Sequence, residues 1–147
     1  MEVLETDTLL WATAGHSVAD FDAKVDARQV DTNHSSYGII FELNTYTDQY
    51  YAFLVDPEFQ YWALWYSDGS NLSELYWDFS PDINLNTAKN NVEVKRQGLT
   101  TKLLVNGSEV YDTSLASTGG HKIGLTAVSW DLINVDVRFD NYVVMTP

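Results

Sequence analysis

Cysteine is absent from this chain of 147 residues. That excludes disulfide frameworks, thiol nucleophiles and thiolate metal sites, and leaves a packed core as the source of stability. Basic residues are scarce as well, with 8 Lys and Arg against 21 Asp and Glu, a net charge of -13. Such a surface repels a phosphate backbone, so nucleic acid is not an expected partner. Long apolar runs are missing too. Stretches such as Tyr37 to Phe41 or Trp62 to Trp65 fall far short of the roughly 20 residues that a spanning helix needs, and no membrane-spanning segment is expected. The opening Met1-Glu2-Val3-Leu4-Glu5 has no basic region and no uninterrupted apolar stretch, so no signal peptide is read. The chain is then either cytoplasmic or a domain excised from a larger protein.

What is abundant is aromatic: five Trp, nine Tyr and six Phe, more ring surface than a core of this size requires. Apolar residues recur with period two in short runs separated by Gly, Asn, Asp and Ser, the pattern of strands rather than helices. Strands are expected over Phe21 to Ala27, Tyr37 to Leu43, Gln49 to Val55, Tyr61 to Ser67, Glu74 to Phe79, Val92 to Arg96, Thr101 to Val105, Glu109 to Asp112 and Lys122 to Ser129, with a last one from Val135 to about Val144. Asp68-Gly69 marks a tight turn, and Asn106-Gly107 marks a type I′ hairpin because both residues tolerate positive φ. About ten strands without intervening helices imply an all-β protein with two packed antiparallel sheets or a barrel. No linker or repeat divides the chain, so residues 1–147 are read as a single domain, expected to be monomeric.

The ordered motifs Asp20-Phe21, Tyr37-Gly38-Ile39-Ile40-Phe41, Tyr50-Tyr51-Ala52-Phe53, Ser80-Pro81-Asp82-Ile83, Asn91-Val92-Glu93-Val94, Leu104-Val105-Asn106-Gly107, Ile123-Gly124-Leu125 and Phe139-Asp140-Asn141-Tyr142 resemble those of bacterial concanavalin A-like domains. This family is similar to laminin G modules and to domains related to 3-keto-disaccharide hydrolases. The resemblance covers roughly Asp20 to Val144 and implies an antiparallel two-sheet jelly-roll sandwich. It also implies an extracytoplasmic setting, as part of a secreted or cell-surface protein. Many relatives carry Arg where Glu42 stands, so an anion-contacting role is not carried over to that position. Relatives that hold a calcium ion use an Asp of the last strand and groups near the first. The resemblance therefore points to Asp140, with Asp20 near it, as calcium ligands. The alternative is that Asp140 caps a bulge by accepting hydrogen bonds from local backbone amides.

Catalysis finds little support in the residues. The acidic Glu-x-Asp-x-x-Glu strand that the endo-glucanase relatives resemble is missing, and the alternating Asp20, Asp22 and Asp26 enclose Lys24, which reads as a solvated face. His16, His34 and His121 lie in turn-like surroundings without metal-ligand spacing. The aromatic pattern says more. If Tyr37, Ile39 and Phe41 point inward, then Gly38, Ile40 and Glu42 share the other face with Tyr50, Ala52 and Leu54 and with Tyr61, Ala63 and Trp65. Small residues between rings make a shallow groove on which a sugar can stack. Tyr50, Tyr61 and Trp65 are the expected ligand-binding rings, and Glu42 the acceptor for hydroxyls. Two other accounts of this face stay open. Either the segment Glu2 to Ala14 covers it through Leu9, Leu10 and Trp11, or it docks a protein partner. The expected function is a non-catalytic binding module for a glycan of neutral or weakly polar type. A protein interaction, adhesion or spacer domain is the alternative, and a glycoside-active enzyme with unrecognised carboxylates the third.

Overall fold

In the strand Phe21–Gln29 (β3) every second residue from Phe21 to Ala27 is buried, while Asp22, Lys24 and Asp26 stay at least partly wet. This one-sided pattern repeats along the chain and sets two sheets face to face. The computed structural model describes residues 2–3, 9–130 and 135–146, with side chains described for 18–130 and 135–146. Among the described residues there is no helix, and hence none long and apolar enough to cross a membrane.

The first sheet takes the order β1 (Glu2–Val3), β12 (Val135–Met145), β3, β8 (Asn90–Gln97), β9 (Thr100–Val105) and β10 (Ser108–Ser114). The second takes β2 (Leu9–Ser17), β11 (Lys122–Ser129), β4 (Ser35–Asn44), β5 (Gln49–Asp56), β6 (Tyr61–Asp68) and β7 (Leu72–Phe79). All pairings are antiparallel. The expected strands are all present. The sequence reading passed over β1, which pairs with β12, and β2, which adds an edge strand beside β11. The N-terminal segment thus extends the second sheet through β2, and the side chains of Leu9, Leu10 and Trp11 lie outside the described ones.

Between the sheets lies the main core, built from Phe21, Val25, Tyr37, Phe41, Phe53, Trp62, Leu103 and Ile123 among others. Tyr111 of β10 bridges the two sheets at their far edge, stacked on Tyr76 at 4.7 Å and 5.3 Å from Trp62. Asn106 and Gly107 both adopt positive φ, 51° and 83°, in the two-residue turn between β9 and β10. A second apolar cluster, Ile40, Leu43, Tyr50, Ala52, Leu54 and Val128, occupies the outer face of the second sheet.

Candidate functional site

Strand β6 presents Tyr61, Ala63 and Trp65 to the outer face of the second sheet and keeps Trp62 and Leu64 in the core. Its neighbour β7 pairs Phe79 with Tyr61 and Trp77 with Ala63. One residue further the register slips. Tyr76 opposes Leu64 but Glu74 opposes Trp65, so Leu75 is the extra residue of a β-bulge. In strict alternation Glu74 and Trp77 would point to opposite faces; the bulge brings both to the same one.

Tyr61, Trp62, Ala63, Trp65, Glu74 and Trp77 line a cleft of about 120 Å³ together with Ser36, Leu54, Asp56 and Trp130. Tyr61 and Trp77 are 40% and 53% exposed, and their rings meet edge to face at 5.1 Å. Phe79 continues the aromatic surface beyond Tyr61 at 6.4 Å, and Phe59 lies on its other side at 6.5 Å. Trp130 is fixed by donating its indole N–H to Ser36 Oγ at 2.8 Å.

The two carboxylates of the cleft differ in how they are employed. Asp56 is fully engaged: Oδ1 accepts from the amides of Glu58 and Phe59, and Oδ2 lies 2.6 Å from His34 Nε2. Glu74 has no hydrogen bond or ion pair among the described residues, and partial desolvation pushes its carboxyl above the usual carboxylate range. Asp56 opposes Tyr61 and Glu74 opposes Trp65, an offset of about 13 Å along the strand direction. With both oxygens of Asp56 engaged, the cleft offers Glu74 no free second carboxylate of the kind that paired-carboxylate glycoside hydrolysis uses.

The residues expected from sequence are placed as follows. Tyr61 and Trp65 line the cleft. Tyr50 is on the same face but only 7% exposed, packed into the apolar cluster there. Glu42 does not share the face. A bulge between Phe41 and Asn44, with φ of 53° at Glu42, turns its side chain to the core side and sends Leu43 outward in its place. At 2% exposure Glu42 accepts from Arg96 Nε of the opposite sheet at 3.1 Å, and from Ser117 Oγ and the Thr118 amide at 3.2 Å. His121 Nδ1 lies 3.3 Å from it. Expecting it to meet a sugar on the outer face is therefore corrected: the bulge reverses the alternation on which that expectation rests.

Asp20 and Asp140 are not brought together either. Asp140 opposes Asp26 in register, six residues along β3 from Asp20, which is roughly 20 Å of strand. The two cannot share one calcium ion. Asp20 Oδ1 accepts from the Gly98 amide at 2.8 Å, holding the turn between β8 and β9. Asp140 Oδ1 accepts from the Asn141 amide at 2.8 Å within the bulge of β12. Among the described residues no group of three or more His, Asp or Glu is set to hold a metal ion.

Sequence reasoning missed Glu74, Trp77, Trp130 and the His34–Asp56 pair. The signal for Trp77 was present in the alternation Leu75, Trp77, Phe79 next to the unbroken apolar and aromatic run from Tyr61 to Tyr66 in β6; the bulge at Leu75 left none for Glu74.

No protein-family model matches the chain, and no curated protein matches it in sequence. Solved structures do match. The carbohydrate-binding module CBM66 from Bacillus subtilis aligns over 97% of this chain and 84% of its own, with a TM-score of 0.77 at 16% identity. Sheep galectin-11, solved in complex with glycerol, covers 97% of this chain and 100% of its own at TM-score 0.65 and 9% identity. The catalytic domain of an endo-1,3-beta-glucanase (laminarinase) from Thermotoga petrophila covers 92% of this chain and 66% of its own, at TM-score 0.61 and 8% identity. At these identities the likeness is one of fold, and the fold is the concanavalin A-like jelly-roll sandwich.

Proposed function

We propose that this domain is a non-catalytic carbohydrate-binding module, working as part of a secreted or cell-surface protein. The observation that carries the reading is the run of exposed rings Phe79, Tyr61 and Trp77 along one sheet face, beside a small cleft. Flat apolar rings with restricted rotamers are suited to stacking on the C–H faces of sugars and lose little entropy in doing so. The likeness in fold to a carbohydrate-binding module supports the same reading. The engagement of Asp56 by His34 and two backbone amides leaves Glu74 without a free carboxylate partner, which favours binding over hydrolysis. Glycan-array screening followed by titration of the best ligand tests the proposal. Trp77→Ala should abolish most of the binding while moving the melting temperature by less than about 2 °C, since an exposed ring contributes little to the core. Unchanged glycan binding in that variant would refute the reading at this site.

One feature favours a second reading, as a protein interaction domain. Strand β7 ends its sheet, and all eight of its residues are exposed, Leu72, Leu75, Tyr76 and Trp77 among them. An open apolar edge of this kind can receive an extended segment of a partner as an added strand.

A further inference from the structure

The cleft between Trp65, Trp77 and Tyr61 is smaller than the roughly 300 to 1,000 Å³ of pockets that enclose a whole ligand. It therefore takes one group of a larger molecule lying across the exposed rings. Its chemistry is anionic and aromatic. Glu74 stands in it as a carboxylate without a partner among the described residues, and no Lys or Arg lines it. The wider surroundings agree. Lys24, Arg28, Lys95, Arg96, Lys102 and Arg138 all lie on strands of the first sheet, whereas among the described residues Lys122 is the one Lys or Arg on a strand of the second.

We infer that the group received by this cleft is a protonated amine, so that the glycan recognised is an amino sugar bearing free ammonium groups. The inference rests on the carbohydrate reading above and names its substrate class. An ammonium over an indole or phenol face is attracted by the ring quadrupole, more strongly where water is partly displaced. Glu74 adds a charge-assisted hydrogen bond, and such bonds are stronger than neutral ones. A neutral sugar gains the stacking alone and leaves the Glu74 carboxylate partly desolvated without compensation.

The test is calorimetric titration of the intact domain, in slightly acidic buffer of physiological ionic strength, with a glucosamine tetramer, an N-acetylglucosamine tetramer and a glucose tetramer of the same linkage. The glucosamine tetramer should bind about tenfold or more tightly than the other two. Glu74→Gln should remove that preference, while Asp112→Asn, which deletes one exposed charge on the first sheet, should leave it intact. Equal affinity for the three tetramers overturns the amine inference and leaves the carbohydrate reading standing. A preference that Glu74→Gln and Asp112→Asn reduce alike overturns it as well, because the attraction then comes from net charge and not from the cleft. Absence of binding by all three, together with an empty glycan array, overturns the carbohydrate reading itself.

Discussion

Glu42 illustrates how much rides on one carboxylate at the end of a sandwich. It joins β4 of one sheet to Arg96 of β8 in the other, and Arg96 spends three of its four other N–H groups on Thr101 Oγ1 and the Leu99 and Leu115 carbonyls. Both side chains are almost completely withdrawn from water. Removing one partner of such a pair leaves an uncompensated buried charge, so Glu42→Ala should cost about 3 to 5 kcal/mol. Glu42→Gln keeps the shape and a hydrogen-bond acceptor, and should cost less. Urea denaturation of the two variants checks the order. If Glu42→Ala proves neutral, the pair is not what fastens this end of the sheets.

At the scale of the element, Gly38 shows why β4 and β5 lie so close. A Cβ on Gly38 would sit 1.8 Å from the Phe53 carbonyl oxygen and 2.9 Å from its carbon, both of them backbone atoms that cannot swing aside. Gly38→Ala should therefore cost about 3 kcal/mol, the upper part of the usual range for overpacking. Gly107→Ala meets nothing within 4 Å and suffers only from its φ of 83°, so it should cost about 1 kcal/mol. Thermal melts of the two variants should separate clearly. The same elements mark how far the sequence could be read. Alternation and the Asn106-Gly107 pair led to the strands and to the β9–β10 hairpin because side-chain period and turn chemistry are local properties, whereas the pairing of β3 with β8 and β12 and of β4 with β11 joins strands far apart in sequence. Bulges are not local in that sense: they arise where two strands of unequal length must stay in register. One at Glu42 carried that residue away from the expected groove, and one at Leu75 carried Glu74 into it. Tyr61 and Trp65, on a strand whose alternation is unbroken between them, were placed correctly on the outer face.

For the whole molecule, the excess of acid makes stability depend on pH, and the outer face of the first sheet sets the direction. There Glu93 is nearly buried on β8; burial, reinforced by the neighbouring Asp22 carboxyl, pushes its pKa up to about 7. In the unfolded chain the same group titrates near 4.5. Between those values the folded state holds a proton that the unfolded state has released, so folding is favoured at the lower end and stability falls as pH rises through the interval. Asp26 works the other way. Hydrogen bonds from Asn91 and Asn141 hold its carboxyl below the usual range, so its contribution is present at neutral pH and lost in acid. The stability maximum should accordingly fall on the mildly acidic side of neutrality, with the melting temperature a few degrees higher near pH 5.5 than near pH 8. Glu93→Gln removes the titrating group while keeping its volume, and should raise the melting temperature at pH 8 and flatten the decline. A melting temperature that rises between pH 5.5 and pH 8, or a decline that Glu93→Gln leaves unchanged, would assign the pH dependence to other carboxylates.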